Sequence, residues 1–411
     1  MKNKFFYFLL IGQFFSYLAD VFFIVALISI VFHLTHSTVV AGLVPIFRVS
    51  AGLLSGMVAP LIIDRYNPLA VLKFSNLLQS ILFLVLAICS LYPIKQIVVI
   101  PFFLILTFLL SFFEGWAAPI RNSLVPNLVD KNELLKANSL LSTLDQSVQL
   151  MGWFLGGYLV VFVGDTKLLW VTFIFSILSS MLFFSLKNQV VFGSVKQKAE
   201  LEAQEKRPWN SLKEGWETIW RLPTIRAIFL MDFLEGLVNA VWIAAILFVY
   251  VRDVLHKGEE WWGFINASFF LGGIVGGTAI VALGRYTNSY LRFFIIFGAF
   301  TISIMTFVFG IVSNPIFALV LSFILGAVTQ LRDTAQQTIL QESTPEGILP
   351  KVFAAKATMM YATFGISVLF MGIITDVFGV KSTYVVAATF IGIAGLSAIF
   401  QMKPVFDRSA G

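Results

Sequence analysis

Twelve long apolar stretches run through the 411 residues, and ionisable side chains nearly vanish inside them. A helix needs roughly 20 apolar residues to cross the hydrocarbon core of a bilayer, where an unpaired backbone group is intolerable. Only 12% of the chain is charged and 58% is hydrophobic, which no water-soluble core of this size requires. The expected spans are 5–32, 38–63, 69–91, 97–119, 139–163, 167–187, 225–250, 261–284, 290–312, 315–338, 352–374 and 380–402. Tight turns join them: Thr35-His36-Ser37, Tyr92-Pro93-Ile94-Lys95 and Val312-Ser313-Asn314-Pro315. The expectation is an all-α polytopic membrane protein.

Charge then sets the topology. With both termini cytoplasmic, only Lys95, Lys167, Arg252, Lys257 and Lys381 face outward, and Arg48 and Arg332 fall within spans. Every other lysine and arginine is internal, the positive-inside pattern. The net charge of +6 belongs to these loops, and no basic motif points to nucleic acid. The first apolar run is too long for a cleavable signal peptide. Cys89 is alone, so an intrachain disulfide and a metal cage lack a basis. His33, His36 and His256 sit at external edges, as ordinary loop residues or as a pH sensor.

Residues 188–224 interrupt the pattern with a charged run, Lys196 to Arg207, followed by Pro208-Trp209. Leu212, Trp216 and Trp220 share one face of an expected interfacial amphipathic helix. This stretch divides the chain into 1–187, a linker at 188–224 and 225–411. The two halves echo each other: Gly56 precedes Asp64-Arg65-Tyr66, and Gly277 precedes Gly284-Arg285-Tyr286. Leu128, Glu133 and Leu134, and later Glu346, Ile348 and Leu349, mark two short amphipathic connectors. Paired halves are a transporter signature.

The run from Gly56 to Asp64-Arg65 resembles the cytoplasmic gate motif of the major facilitator superfamily. The stretch Pro119, Arg121, Asn122, Pro126, Leu128, Val129, Glu133, Leu134, Ala137, Asn138 and Ser139 is similar to its bacterial macrolide and multidrug efflux-like members. Gly152, Gly156 and Gly157 resemble, incompletely, the glycine-rich fifth helix of antiporters. Asn67-Pro68 replaces part of the usual basic run, and the antiporter proline near Gly156 is absent. The resemblance covers nearly the whole chain. It implies a major facilitator fold of twelve helices in two pseudo-symmetric six-helix bundles, alternating access and coupling to protons.

Gln13, Ser16, Tyr17 and Asp20 form a polar stripe near the middle of the first span. A carboxylate at that depth is costly unless it reaches water or a partner, which makes Asp20 a proton-acceptor or cation-contact candidate beside a purely structural reading. Asp232 and Glu235 share a face of the seventh span, with Asn239 one turn on; they suit proton coupling or a gate contact. Arg48 can bind an anionic cargo group, neutralise Asp20 or snorkel outward. Glu114, Asp145, Gln149, Gln330, Arg332 and Asp333 gather toward the cytoplasmic side, with Arg65, Arg121 and Arg285 as partners in an inner gate that also includes Asp64. Gly272, Gly273, Gly276 and Gly277 suit close helix packing.

The leading expectation is a secondary active exporter of a small amphipathic molecule, driven by the proton gradient, with no cofactor or metal. It sits as a multi-pass monomer in the bacterial cytoplasmic membrane, in contact with lipid. No GxxxxGK[ST] loop supplies an ATP motor. A proton-coupled importer, a lipid or lysophospholipid transporter and a non-transporting scaffold are the alternatives. An enzyme is disfavoured for want of a nucleophile–base arrangement.

Overall fold

The computed structural model describes residues 4–35, 40, 43–91, 96–186, 208–242, 244–258, 260–287, 290–345 and 347–402. The helices are α1 (Lys4–Thr35), α2 (Leu43–Arg65), α3 (Pro68–Cys89), α4 (Gln96–Leu128), α5 (Leu134–Val163) and α6 (Asp165–Phe184). They continue with α7 (Pro208–Arg221), α8 (Pro223–Gly236), α9 (Ala244–Asp253) and α10 (Glu260–Thr287). The last four are α11 (Leu291–Ile311), α12 (Pro315–Ser343), α13 (Leu349–Phe378) and α14 (Val380–Gln401). Among the described residues, ten of these helices are long and apolar enough to cross a membrane.

Local chemistry explains several boundaries. Asn67 and Asn314 each stand before a proline, and each side-chain oxygen accepts from the next two free helical amides. Asn67 thus starts α3 by capping it, with Oδ1 2.9 Å from Leu69 N. Gly164 and Gly379 adopt φ of 87° and 81°, backbone that a β-carbon disfavours, and each turns the chain sharply into the helix that follows. They occupy equivalent places before α6 and α14, a repeat the expected motifs had not included.

Three expected elements differ. The fourth span, expected to stop at 119, runs on to Leu128 through Pro119 and Pro126. Buried Ile120, Leu124, Val125 and Leu128 hold this extension, so packing outweighs the bonds the prolines remove. The connector at 128–134 is a single 3-10 turn, Lys131–Glu133, and α5 begins at Leu134 rather than 139. The seventh span, expected as one helix over 225–250, is broken into α8, a 3-10 turn at Asn239–Trp242, and α9. Backbone freed at membrane depth must find partners inside the protein. Here Ala240 N donates to Ser367 Oγ at 2.9 Å, and the Tyr384 hydroxyl donates to Val241 O at 3.0 Å.

The chain forms two compact units: residues 1–137, 144–215 and 345–361, and residues 138–143, 216–344 and 362–411. In the first, α6 packs on α1 and α3, and α4 packs on α2 and α3. In the second, α14 packs on α8 and α11, and α12 packs on α10 and α11, the same pairings six spans later. Ser80 joins Ser176 and Ser180 at 2.8 and 2.9 Å between α3 and α6, and Phe23 meets Phe83 edge-on in the apolar core. Glycines seat α10 against α12: a β-carbon on Gly276 would stand 2.6 Å from Ala327 O, while Gly272 faces Phe323 O and Gly326 faces Phe269 O. Gly273 lies at the same contact through its backbone nitrogen.

Candidate transport site

The polar stripe of α1 begins with an i,i+4 contact: Gln13 Nε2 donates to the Tyr17 hydroxyl at 2.8 Å. One turn further, Asp20 accepts both terminal nitrogens of Arg48 from α2, at 2.8 and 2.9 Å. This fork-on-carboxylate geometry is among the strongest hydrogen-bonded ion pairs and offsets much of the cost of charge at membrane depth. Glu114 and Arg121 are seven residues apart on α4, two turns along one face. Arg121 Nη2 lies 2.6 Å from Glu114 Oε1, and the guanidinium stands over the Tyr17 ring at 5.5 Å. Gln79 from α3 donates to the other Glu114 oxygen at 3.4 Å.

These side chains enclose a cavity of about 50 Å³ lined by Ser16, Tyr17, Asp20, Gln79, Glu114 and Ser176. Ligand pockets for drug-sized molecules run to about 300–1,000 Å³. The cavity therefore has room for water or a small ion, and not for an amphiphile. Asp145, one turn before Gln149 on α5, is partly buried and feels the charges of Arg121 and Asp20. The first unit thus sets three carboxylates against two guanidiniums.

In the second unit, Arg332 is 6% exposed, and its Nη1 lies 2.7 Å from Glu235 Oε1 on α8. Its Nη2 meets the more exposed Asp333 at 2.8 Å. Gly298 on α11 leaves room for the arginine stem, whose Cβ would stand 3.0 Å from an added β-carbon. Asp232 is one turn before Glu235, while Asn239 is exposed on the 3-10 turn. Glu235 therefore has an arginine partner as well as its neighbour on the same helix face. Arg332 thus bridges two carboxylates, Glu235 and Asp333.

The linker end of the first unit carries a triad that the sequence did not suggest. Lys351, at the start of α13, is 3% exposed, with Nζ 2.5 Å from Asp64 Oδ1 and 2.5 Å from Glu214 Oε2 on α7. Gly56, about two and a half turns before the end of α2, admits Thr358: a β-carbon there would stand 2.5 Å from its Oγ1. Arg65 is exposed over the Tyr66 ring. The side chain of Arg285 lies outside the described residues, as do the surroundings of Gly156 and Gly157 and all of His36 and Glu346. Gly152 faces Val21.

Residues 138–143 of α5 belong to the second unit and are tied there by neutral groups. Asn138 Nδ2 donates to Thr338 Oγ1 at 3.0 Å and to Gln341 Oε1 at 2.6 Å. Ser139 donates to Gly277 O at 2.7 Å, and Gln330 donates to Ser142 at 2.6 Å. Gly277 lets Thr143 approach. The only hint of this zipper in the sequence is the helical spacing of Gln330, Gln337, Thr338 and Gln341 along α12. Charged residues draw attention first, yet amides and hydroxyls make these contacts.

Comparison with known proteins fits this geometry. The sequence profile of the Major Facilitator Superfamily matches residues 9–355. An uncharacterised transporter of that type, YfmI of Bacillus subtilis (strain 168), is 31% identical over 98% of this chain and 97% of its own length. The multidrug efflux pump Tap of Mycolicibacterium fortuitum is 21% identical over 85% of each chain. Among solved structures, a bacterial homologue of the iron transporter ferroportin in an outward-facing state has a TM-score of 0.76 at 15% identity, covering 97% of this chain and 99% of that one. The proton:xylose symporter XylE has a TM-score of 0.73 at 15% identity, over 95% and 94%. With its ten described membrane-crossing helices and its repeated pairings, the chain belongs to the major facilitator superfamily of membrane transporters.

Proposed function

We propose that this transporter exports a small amphipathic molecule in exchange for protons, by alternating access of two halves, 1–187 and 225–411, joined by the 188–224 linker. The observation that carries the reading is the set of ion pairs inside the spans, with three carboxylates, Asp20, Glu114 and Asp145, beside the two guanidiniums of Arg48 and Arg121 in the first unit. A carboxylate surplus at membrane depth calls for a compensating cation. The cavity beside Asp20 and Glu114 has the size for a proton carried by water and is far too small for the cargo. Protonation of Asp20 would loosen Arg48, and protonation of Glu235 would loosen Arg332. Each event changes the cost of burying charge and so biases one conformation over another.

The efflux direction draws on the likeness to the multidrug efflux pump Tap, and proton coupling on the fold shared with the proton symporter XylE. That second likeness also favours the alternative of proton-coupled import. The lysine and arginine bias supports the reading that both termini lie on the cytoplasmic side of a bacterial cytoplasmic membrane. The test is proton movement in sealed proteoliposomes across a panel of chemically distinct amphiphiles, with Asp20→Asn beside the parent. Cargo-dependent proton movement, lost in the folded variant, is expected. Cargo movement with no proton movement would overturn the coupling.

A further inference from the structure

Helix α7 has two faces. Gly215 and Ile219 are buried against the protein, and Glu214 is taken by Lys351. At about 100° per residue, the outer half reads Trp216, Trp220, Lys213, Glu217 and Arg221 in order around the helix, and all five are exposed. The indoles therefore border the buried face and the charges lie beyond them, the order in which a helix meets the apolar and then the polar layer of a membrane surface. Trp216 is braced edge-on against Phe229 of α8 at 6.3 Å, while Trp220 is 55% exposed. Arg226, one turn into α8, sets the depth of this face. Its Nε donates to Gln401 Oε1 at 3.0 Å and its Nη1 to Trp220 O at 3.4 Å; Nη2 has no acceptor among the described residues. Gln401 is the last residue of α14, a helix long and apolar enough to cross a membrane, and Phe400 before it is exposed. The guanidinium thus stands where a span meets the headgroups. Acid is scarce there: the first turn of α8 has none, and Glu217 is the one exposed carboxylate of α7 among the described residues. Against it stand Lys213, Arg221 and Arg226.

We propose that the outer face of α7, with Arg226 at its end, is a binding surface for anionic phospholipid. Arg221 and the free Nη2 of Arg226 take the phosphate, for which a planar guanidinium is a matched donor. Lys213 adds to the attraction, and Trp216 and Trp220 settle against the glycerol and upper acyl chains. A soluble anion would satisfy the arginines and leave both indoles in water, so the occupant is lipid. Apart from Lys213, the side chains of this surface belong to the second unit. Lipid that binds only the docked helix adds to its docking equilibrium. Neither cargo nor proton takes part in the contact.

The test follows amide hydrogen exchange of α7 in the full chain, held in nanodiscs of phosphatidylcholine alone or of phosphatidylcholine mixed with phosphatidylglycerol. Anionic lipid should slow exchange in α7 by about fivefold for each cation close to its surface. Arg221→Gln and Arg226→Gln should each give back about fivefold of that slowing. Arg226→Lys keeps the charge and should retain most of it, which separates lost lipid from the lost bond to Gln401. Glu217→Gln removes the opposing charge and should deepen the slowing, a gain that misfolding cannot imitate. Exchange in α11 and α12 should stay at the parent rate in every variant. Rates in α7 that differ less than twofold between the two nanodiscs would overturn the proposal. So would equal slowing by inorganic phosphate in phosphatidylcholine nanodiscs, which would make the occupant a free anion. Slowing by polyglutamate with none by phosphatidylglycerol would overturn it in favour of an acidic protein partner.

Discussion

Replacing Lys351 by methionine keeps the length of the buried stem and removes the ammonium that Asp64 and Glu214 share. The two acceptor oxygens each lie 2.5 Å from Nζ, so they stand no more than about 5 Å apart. Without the cation, two unit charges at that separation repel by about 3 kcal/mol at an effective dielectric of about 20. Their side chains are about a quarter exposed, which screens the repulsion, while removal of one partner from a buried pair typically costs about 3–5 kcal/mol. The net penalty is about 2–4 kcal/mol, or roughly 30-fold to 1,000-fold in the docking equilibrium of α7. Contact is direct as well as electrostatic, since a β-carbon on Gly215 would stand 2.8 Å from Lys351 O. Amide hydrogen exchange in α7 should accelerate by that factor in Lys351→Met and stay near the parent rate in Lys351→Arg. Protection of α7 that changes less than threefold in Lys351→Met would refute the triad as what holds it.

Two further perturbations test the second unit. Gly276→Leu must push α10 from α12, because its β-carbon alone would meet Ala327 O at 2.6 Å; a loss of about 1–3 kcal/mol should lower the melting temperature in detergent. Tyr384→Phe removes the donor to Val241 O in the broken seventh span and should cost about 1–3 kcal/mol, read as faster exchange confined to 237–242 and α9.

Much of the architecture was legible because lipid enforces a simple rule: long apolar runs become helices. The stripe Gln13, Tyr17, Asp20 was legible for a related reason, since helical spacing alone brings Gln13 to Tyr17. What spacing could not supply was the partner across helices. Arg48 could have reached Asp20, cargo or the headgroups, and only the folded α1 and α2 decide between them. The break at Gly236 was hidden because its compensation comes from Ser367 and Tyr384, more than a hundred residues away in the chain. Lys351 read as one more positive-inside charge, although its burial shows a structural ammonium held between α2 and α7. The zipper of Asn138, Thr338 and Gln341 was hidden by chemistry rather than distance, because uncharged amides at helix ends are common.

The most direct measurement imposes a pH gradient across sealed proteoliposomes of known orientation and follows an amphiphilic fluorophore against its own concentration gradient. Exchange with protons predicts uphill movement opposite to proton flow, reversing when the pH gradient is reversed. Movement only down the fluorophore's own gradient, indifferent to pH, would contradict the account.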